Sequence, residues 1–358
     1  MCNSNVIGET DNQSHSREIR RVKHPDLYFT DGTIVLMAGT MIFRVYYGQL
    51  CQESEVFRNM MEDAEHIPKD GETYDGCPLV QLTDDPEMLG YFLKALSGKI
   101  HLLDPDDLAS DESIVAALGI LRLSHKYMAS RQRKKAIKWF ESIIPQNSKE
   151  AIDMDSVGRL EPWKEFIQYR LLSTIRKPIP NIIGIFQECG LHRFLPWTLY
   201  MISVYGGTLC LPERLMKIEQ DPFPFSNEAM LGLIQGRQHL EKLYRKNIWK
   251  IIQIRHGFCR DATCNEMCRL ALLEHLTQTS NLMWLQPSRI PLQKVLKSNC
   301  NSVLFNSLED TLLVERRLPC TLCGKLWLVE SERLMQEAWV GLPKIFGLPS
   351  WEELKNEE

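Results

Sequence analysis

The stretch from Asp26 to Tyr47, DLYFTDGTIVLMAGTMIFRVYY, constrains this chain most. It is dense in Val, Ile, Phe, Tyr and Thr, the residues that suit a pleated, half-buried surface. Asp31-Gly32 and Gly39 supply turn signals inside it. Met41, Phe43 and Val45 alternate with Ile42, Arg44 and Tyr46, so two-residue periodicity predicts strands at about 27–29, 33–38 and 40–46, with 33–46 as the main hairpin. A hairpin with one apolar face is marginal alone, so the residues after it must supply the cover.

Those residues read as helices. Gly48 to Met61 places Leu50, Val56, Phe57, Met60 and Met61 near helical spacing. HIPKDGETYDGC, from His66, reads as a solvent loop, and residues 78–82 (PLVQL) as a strand returning to the sheet. Asp85 is set to cap a helix with Pro86 in its first turn. Met88, Phe92 and Leu96 line that helix, Leu89 and Leu93 widen its face, and Gly98 ends it. Helices at Ser113–Met128 and Arg131–Ile144 follow, the second stopped by Pro145. The expected core contains Phe43, Val56, Phe57, Leu82, Phe92, Leu96, Leu118 and Phe140.

From Ser148 onward the pattern is helical, with candidate helices at 148–155, 160–175, 180–188, 195–205, 210–219, 226–253, 264–278, 288–298 and 323–340. The predicted organisation is a mobile polar tail (1–23), an α+β domain (24–145) and a mostly α-helical domain (146–358) carrying a C-terminal cysteine cluster. A length of 358 residues accommodates two cores.

At this point the residues resemble a family. Phe43-Arg44-Val45-Tyr46, Leu50 and Ser54-Glu55-Val56-Phe57-Arg58-Asn59-Met60-Met61 look like the hairpin-to-helix stretch of BTB/POZ domains. Residues 80–100 (VQLTDDPEMLGYFLKALSGKI) look like that family's strand, helix and turn, and Ser113–Tyr127 with Arg131–Ile144 like its closing helices. The resemblance covers roughly residues 24–145, and the FTDGTIVL run with its hairpin is similar to the variant common in fungal proteins. Tyr46 stands where the family usually has a histidine, and the loop His66–Gly76 is longer than in compact members.

The resemblance implies protein binding, often homodimerisation, and in many members an adaptor role for cullin-type ubiquitin ligases. That role uses a helix ending in an apolar residue, any residue, then glutamate, a spelling that Met60-Met61-Glu62 fits loosely. The plainer reading makes Met60 and Met61 core and Glu62 a solvated helix end.

Eleven cysteines, with no apolar leader in the first residues, point to an intracellular protein of the cytoplasm or nucleus without a disulfide framework. Cys259-x4-Cys264-x3-Cys268 and Cys320-Thr321-Leu322-Cys323 carry the one spacing with metal chemistry in it. Four thiolates, Cys259, Cys264, Cys320 and Cys323, are candidates for a closed structural zinc site, with Cys268 as a substitute and His256 and His275 as outside candidates. The alternative is a set of buried thiols acting as small hydrophobes.

Net charge of −4 and ordinary globular composition argue against a general nucleic-acid or anionic-membrane binder. The longest apolar run, Phe194–Tyr205, is too short to cross a bilayer. No nucleophile elbow, metal-binding helix or phosphate loop is present, so the expectation is a non-enzymatic interaction module. The alternative is a transcription-associated regulator whose C-terminal cysteine region contacts nucleic acid through Lys242, Arg245, Lys246, Lys250, Arg255 and Arg260.

Two further segments have two readings each. Arg131, Arg133, Lys134, Lys135 and Lys138 read as a nuclear address or as a solvated helix face. Trp339, Leu342, Ile345, Phe346, Leu348 and Trp351 read as a clasp on the helical domain or as an exposed docking segment.

Overall fold

The computed structural model describes residues 21–62, 72–101, 110–153, 161–167, 181–205, 227–253 and 321–356. A curved mixed sheet occupies the N-terminal part, and a largely helical part follows it. The sheet holds β1 (Val22–Tyr28), β2 (Ile34–Ala38), β3 (Met41–Val45), β4 (Thr73–Tyr74) and β5 (Cys77–Leu82), in the order β1-β3-β2-β5-β4. β2 and β3 form the expected antiparallel hairpin, with Ile34 opposite Val45 and Leu36 opposite Phe43. β5 returns parallel to β2, and β1 lies parallel to β3.

Two-residue alternation divides the sheet between two buried clusters. Ile34, Leu36, Ala38, Phe43 and Val45 face the helices. Val35, Met37, Ile42, Cys77 and Leu79 face the other way and pack against Tyr28 and Tyr74.

Three features depart from the sequence reading. β1 begins at Val22, within the expected tail, and accommodates Pro25 because it is an edge strand with only one neighbour. β4 lies in the expected loop. Asp75 and Gly76 both take positive φ, 49° and 75°, the left-handed pair that a tight two-residue hairpin turn requires. The single helix expected from Gly48 is two: α1 (Tyr47–Glu53) and α2 (Glu55–Glu62). Ser54 between them is extended, at φ −133° and ψ 124°.

The closing helices match their signals. In α3 (Pro86–Leu96) the Asp85 carboxylate accepts from the Met88 amide at 2.9 Å, and Gly98 ends the segment at φ 71°. α4 (Ser110–Lys126) crosses α3 at Gly119, where a Cβ would lie 3.0 Å from Met88 Cα. α5 (Ser130–Ile143) stops before Pro145. Of the expected core, Val56 and Leu82 are half-buried and the other six residues are buried.

The helical part comprises α6 (Ser148–Asp153), α7 (Glu161–Glu165), α8 (Ile182–Glu188), a 3-10 turn at His192–Phe194, α9 (Leu195–Tyr205), α10 (Asn227–Ile252), α11 (Thr321–Ile345) and α12 (Trp351–Asn356). The candidate helices at 210–219, 264–278 and 288–298 lie outside the described residues. One buried cluster runs from Leu27 to Phe346. Phe140 of α5 meets Phe186 of α8 edge-on at 5.0 Å, and the Trp163 indole donates to the Ile143 carbonyl at 3.0 Å.

Candidate protein-interaction surfaces

Ser54 positions the two short helices that flank the sheet. Its buried hydroxyl donates to the Tyr127 carbonyl at 2.6 Å and accepts from the Phe57 amide at 3.2 Å, capping α2. Tyr127 stacks on Phe57 at 4.8 Å and on Phe92 at 5.7 Å, and its hydroxyl donates to Asp84. Burial first, and the Asp84 bond second, push the Tyr127 phenol well above the ordinary tyrosine range.

This anchoring leaves the far end of α2 outside the core. Phe57 fills the inward face of the helix, and Met60 stands 36% exposed. Met60 is therefore a surface residue, against the reading that made it core, because the break at Ser54 restarts the helix and only Phe57 points at Tyr127. The side chains of Met61 and Glu62 lie outside the described residues. Val22, on the edge strand β1, is a second apolar side chain at the surface.

The outer face of the sheet is closed by side chains from its two edges. The Tyr28 hydroxyl and the Lys23 ammonium both donate to Asp75, at 2.5 and 2.9 Å. Lys23 lies 4.3 Å from the Tyr28 ring centroid, and Arg21 lies over Tyr74 while pairing with Glu72. The hydrogen bonds from Tyr28 and Lys23 hold the Asp75 carboxyl below its usual range.

The zinc expectation needs correction. Among the described residues, no group of three or more His, Cys, Asp or Glu side chains could hold a metal ion. Cys259, Cys264, Cys268 and Cys320, with His256 and His275, lie outside the described residues. Cys323 belongs to α11, a 25-residue helix, and its side chain is not among those described. Gly324 is therefore a helical residue and not the tight turn of a metal knuckle; the helical periodicity of the following residues extends back through the motif. The described cysteines pack as small hydrophobes. Cys77 donates to the Gly32 carbonyl at 3.2 Å, and Cys51 lies 3.5 Å from the Phe57 carbonyl. Burial pushes the Cys189 thiol up to about 11.

The aromatic C-terminus packs inward. Trp339 and Trp351 stack at 4.7 Å, Trp339 lies 6.0 Å from Trp197 of α9, and Leu342 and Phe346 are buried. It is a clasp on the helical part and not an exposed docking segment. The basic run on α5 is likewise a helix face: Arg131 pairs with Glu53 at 3.2 Å, and Arg133 donates to the Cys189 carbonyl at 2.9 Å. Lys134 and Lys138 are exposed around the buried Ala136 and Phe140.

Among the described residues, no helix is long and apolar enough to cross a membrane. No protein-family model, curated protein or solved structure matches the chain.

Proposed function

We propose that this chain is a protein-interaction module of the BTB/POZ type, acting through self-association and partner docking, with no catalytic activity of its own. One observation carries the reading. The β2–β3 hairpin is followed by two short helices, then by β5 returning parallel to β2, and then by the Asp85-capped α3 and the α4–α5 pair. That order agrees with the order of elements in the resemblance described above. Val22 on β1 and Met60 on α2 add exposed apolar side chains on the elements that the reading assigns to contact.

Self-association through β1 and the first helices is expected to produce a two-fold dimer. Multi-angle light scattering at micromolar concentration tests it: the expected mass is twice that of the chain, falling to the monomer mass in the Val22→Asp, Met60→Glu double variant. A monomer mass for the wild type would count against the reading. The adaptor role is tested by pull-down of the intact protein beside Met60→Arg, where a cullin scaffold retained by the first and lost by the second is the supporting result.

A further inference from the structure

α10 and α11 run antiparallel. Gly236 opposes Phe346 at one end, and Lys250 pairs with Glu337 at 3.7 Å toward the other. Between these contacts the two helices line an open groove of about 450 Å³. Lys242 and Lys246 border it from α10 and Lys344 from α11, all three exposed, with His239 a turn away. The floor is apolar, made by Leu243 and Ile345. At Gly341 a Cβ would meet nothing within 4 Å, so the cavity is open there for want of a side chain.

The described lining contains no carboxylate. Two carboxylates of the same helices are engaged in ion pairs, Glu241 with Arg237 at 3.5 Å and Glu337 with Lys250. The rim repeats the pairing of cation with apolar side chain. Trp249, 60% exposed, falls two turns from Lys242 on the same helix face, and Val340, 68% exposed, falls one turn from Lys344.

We infer that this groove docks a short acidic segment of a partner protein, with an apolar side chain on Leu243 and Ile345 and flanking carboxylates on Lys242, Lys246 and Lys344. Charge complementarity selects an acidic partner, and the apolar floor and rim select a peptide with hydrophobic side chains over a simple anion. The positive stretch favours a peptide over nucleic acid. His239 to Lys246 spans about 10 Å of helix. A phosphate backbone gains affinity by adding contacts along a much longer track. The inference is independent of the BTB-type reading, since none of these residues belongs to the sheet or to α1–α5.

The test uses the full-length protein and a fluorescein-labelled peptide of glutamates around two leucines, read by fluorescence anisotropy. Binding in the micromolar range is expected, weakening at least ~10-fold when glutamines replace the glutamates, and again as salt rises. Lys242→Glu and Lys344→Glu should each weaken it roughly 5-fold or more. Gly341→Leu is the decisive variant. It keeps every charge, favours the helix and fills the groove, so it should abolish binding while circular dichroism stays unchanged. Binding that survives Gly341→Leu, or no binding by the wild type, would overturn the inference. So would a labelled oligonucleotide that binds more tightly than the peptide and is lost in the same lysine variants, which would make the face a nucleic-acid surface.

Discussion

Tyr28 and Asp75 sit at opposite edges of a five-stranded sheet, and the Tyr28 hydroxyl donates directly to Asp75 Oδ2 at 2.5 Å. Three strands separate β1 from β4 in the hydrogen-bonded order, so this contact exists only because the sheet curls. The curl covers Val35, Met37 and Ile42, which would otherwise face water. Lys23 of β1 and the preceding Arg21 reinforce the seam, against Asp75 and Tyr74.

The seam makes stability depend on acid. Asp75 is held below its usual range, first by the Tyr28 hydrogen bond and then by Lys23. A carboxyl with a lowered folded-state pKa contributes stability above its unfolded value of about 4, and that contribution is lost as pH falls through the folded value. Tyr28→Phe should therefore lower the thermal midpoint at neutral pH. The gap from wild type should close in acid, as followed by circular dichroism. A gap that stays constant with pH would assign the loss to packing alone.

Tyr127 makes the opposite dependence. Its folded-state pKa is raised, chiefly by burial, so its contribution is complete below the ordinary tyrosine value of about 10 and is lost as pH rises beyond that. Tyr127→Phe keeps the stacking on Phe57 and Phe92 but removes a donor from Asp84, whose side chain is only 6% exposed. A cost of about 1–3 kcal/mol at neutral pH is expected, shrinking in alkali. Urea unfolding at both pH values measures it.

Ser54→Ala should cost about 2 kcal/mol, since one hydroxyl both caps α2 and satisfies the Tyr127 carbonyl. Combined with Tyr127→Phe the losses should not add, because the two residues share one contact network. Strict additivity in a double-mutant cycle would show that the α1–α2 break and the Asp84 bond are independent.

Gly236 admits the Phe346 ring. A Cβ there would lie 2.2 Å from two ring atoms, and Phe346 is buried, so the ring must move. Gly236→Ala should destabilise by about 1–3 kcal/mol and alter tryptophan fluorescence, since Trp339 and Trp351 stack in the same clasp. Adding Phe346→Leu should recover part of the loss. Unchanged fluorescence in Gly236→Ala would show that the ring relocates without disturbing the clasp.

The sequence by itself determined the elements whose signals are local. The β2–β3 hairpin follows from its β-branched and aromatic run and the Gly39 turn, α3 from its Asp85 cap, Pro86 and Gly98, and the end of α5 from Pro145, because each needs only near neighbours in the chain. The Asp75-Gly76 turn was legible in principle, since the pair is a hairpin signal, but it stood in a polar stretch that read as loop.

Tertiary structure alone decided the rest. Ser54 breaks one helix into two because the Tyr127 carbonyl, 73 residues away, accepts its hydroxyl. That break leaves Met60 partly exposed at the surface although its spacing marked it as core. Tyr28 meets Asp75, 47 residues on, only in the curled sheet, and the basic groove depends on α10 and α11 lying side by side. Hydrophobic periodicity specifies which face of an element is buried but not what lies opposite it. Contacts between distant side chains, and the surfaces they leave open, arise only when the whole chain packs.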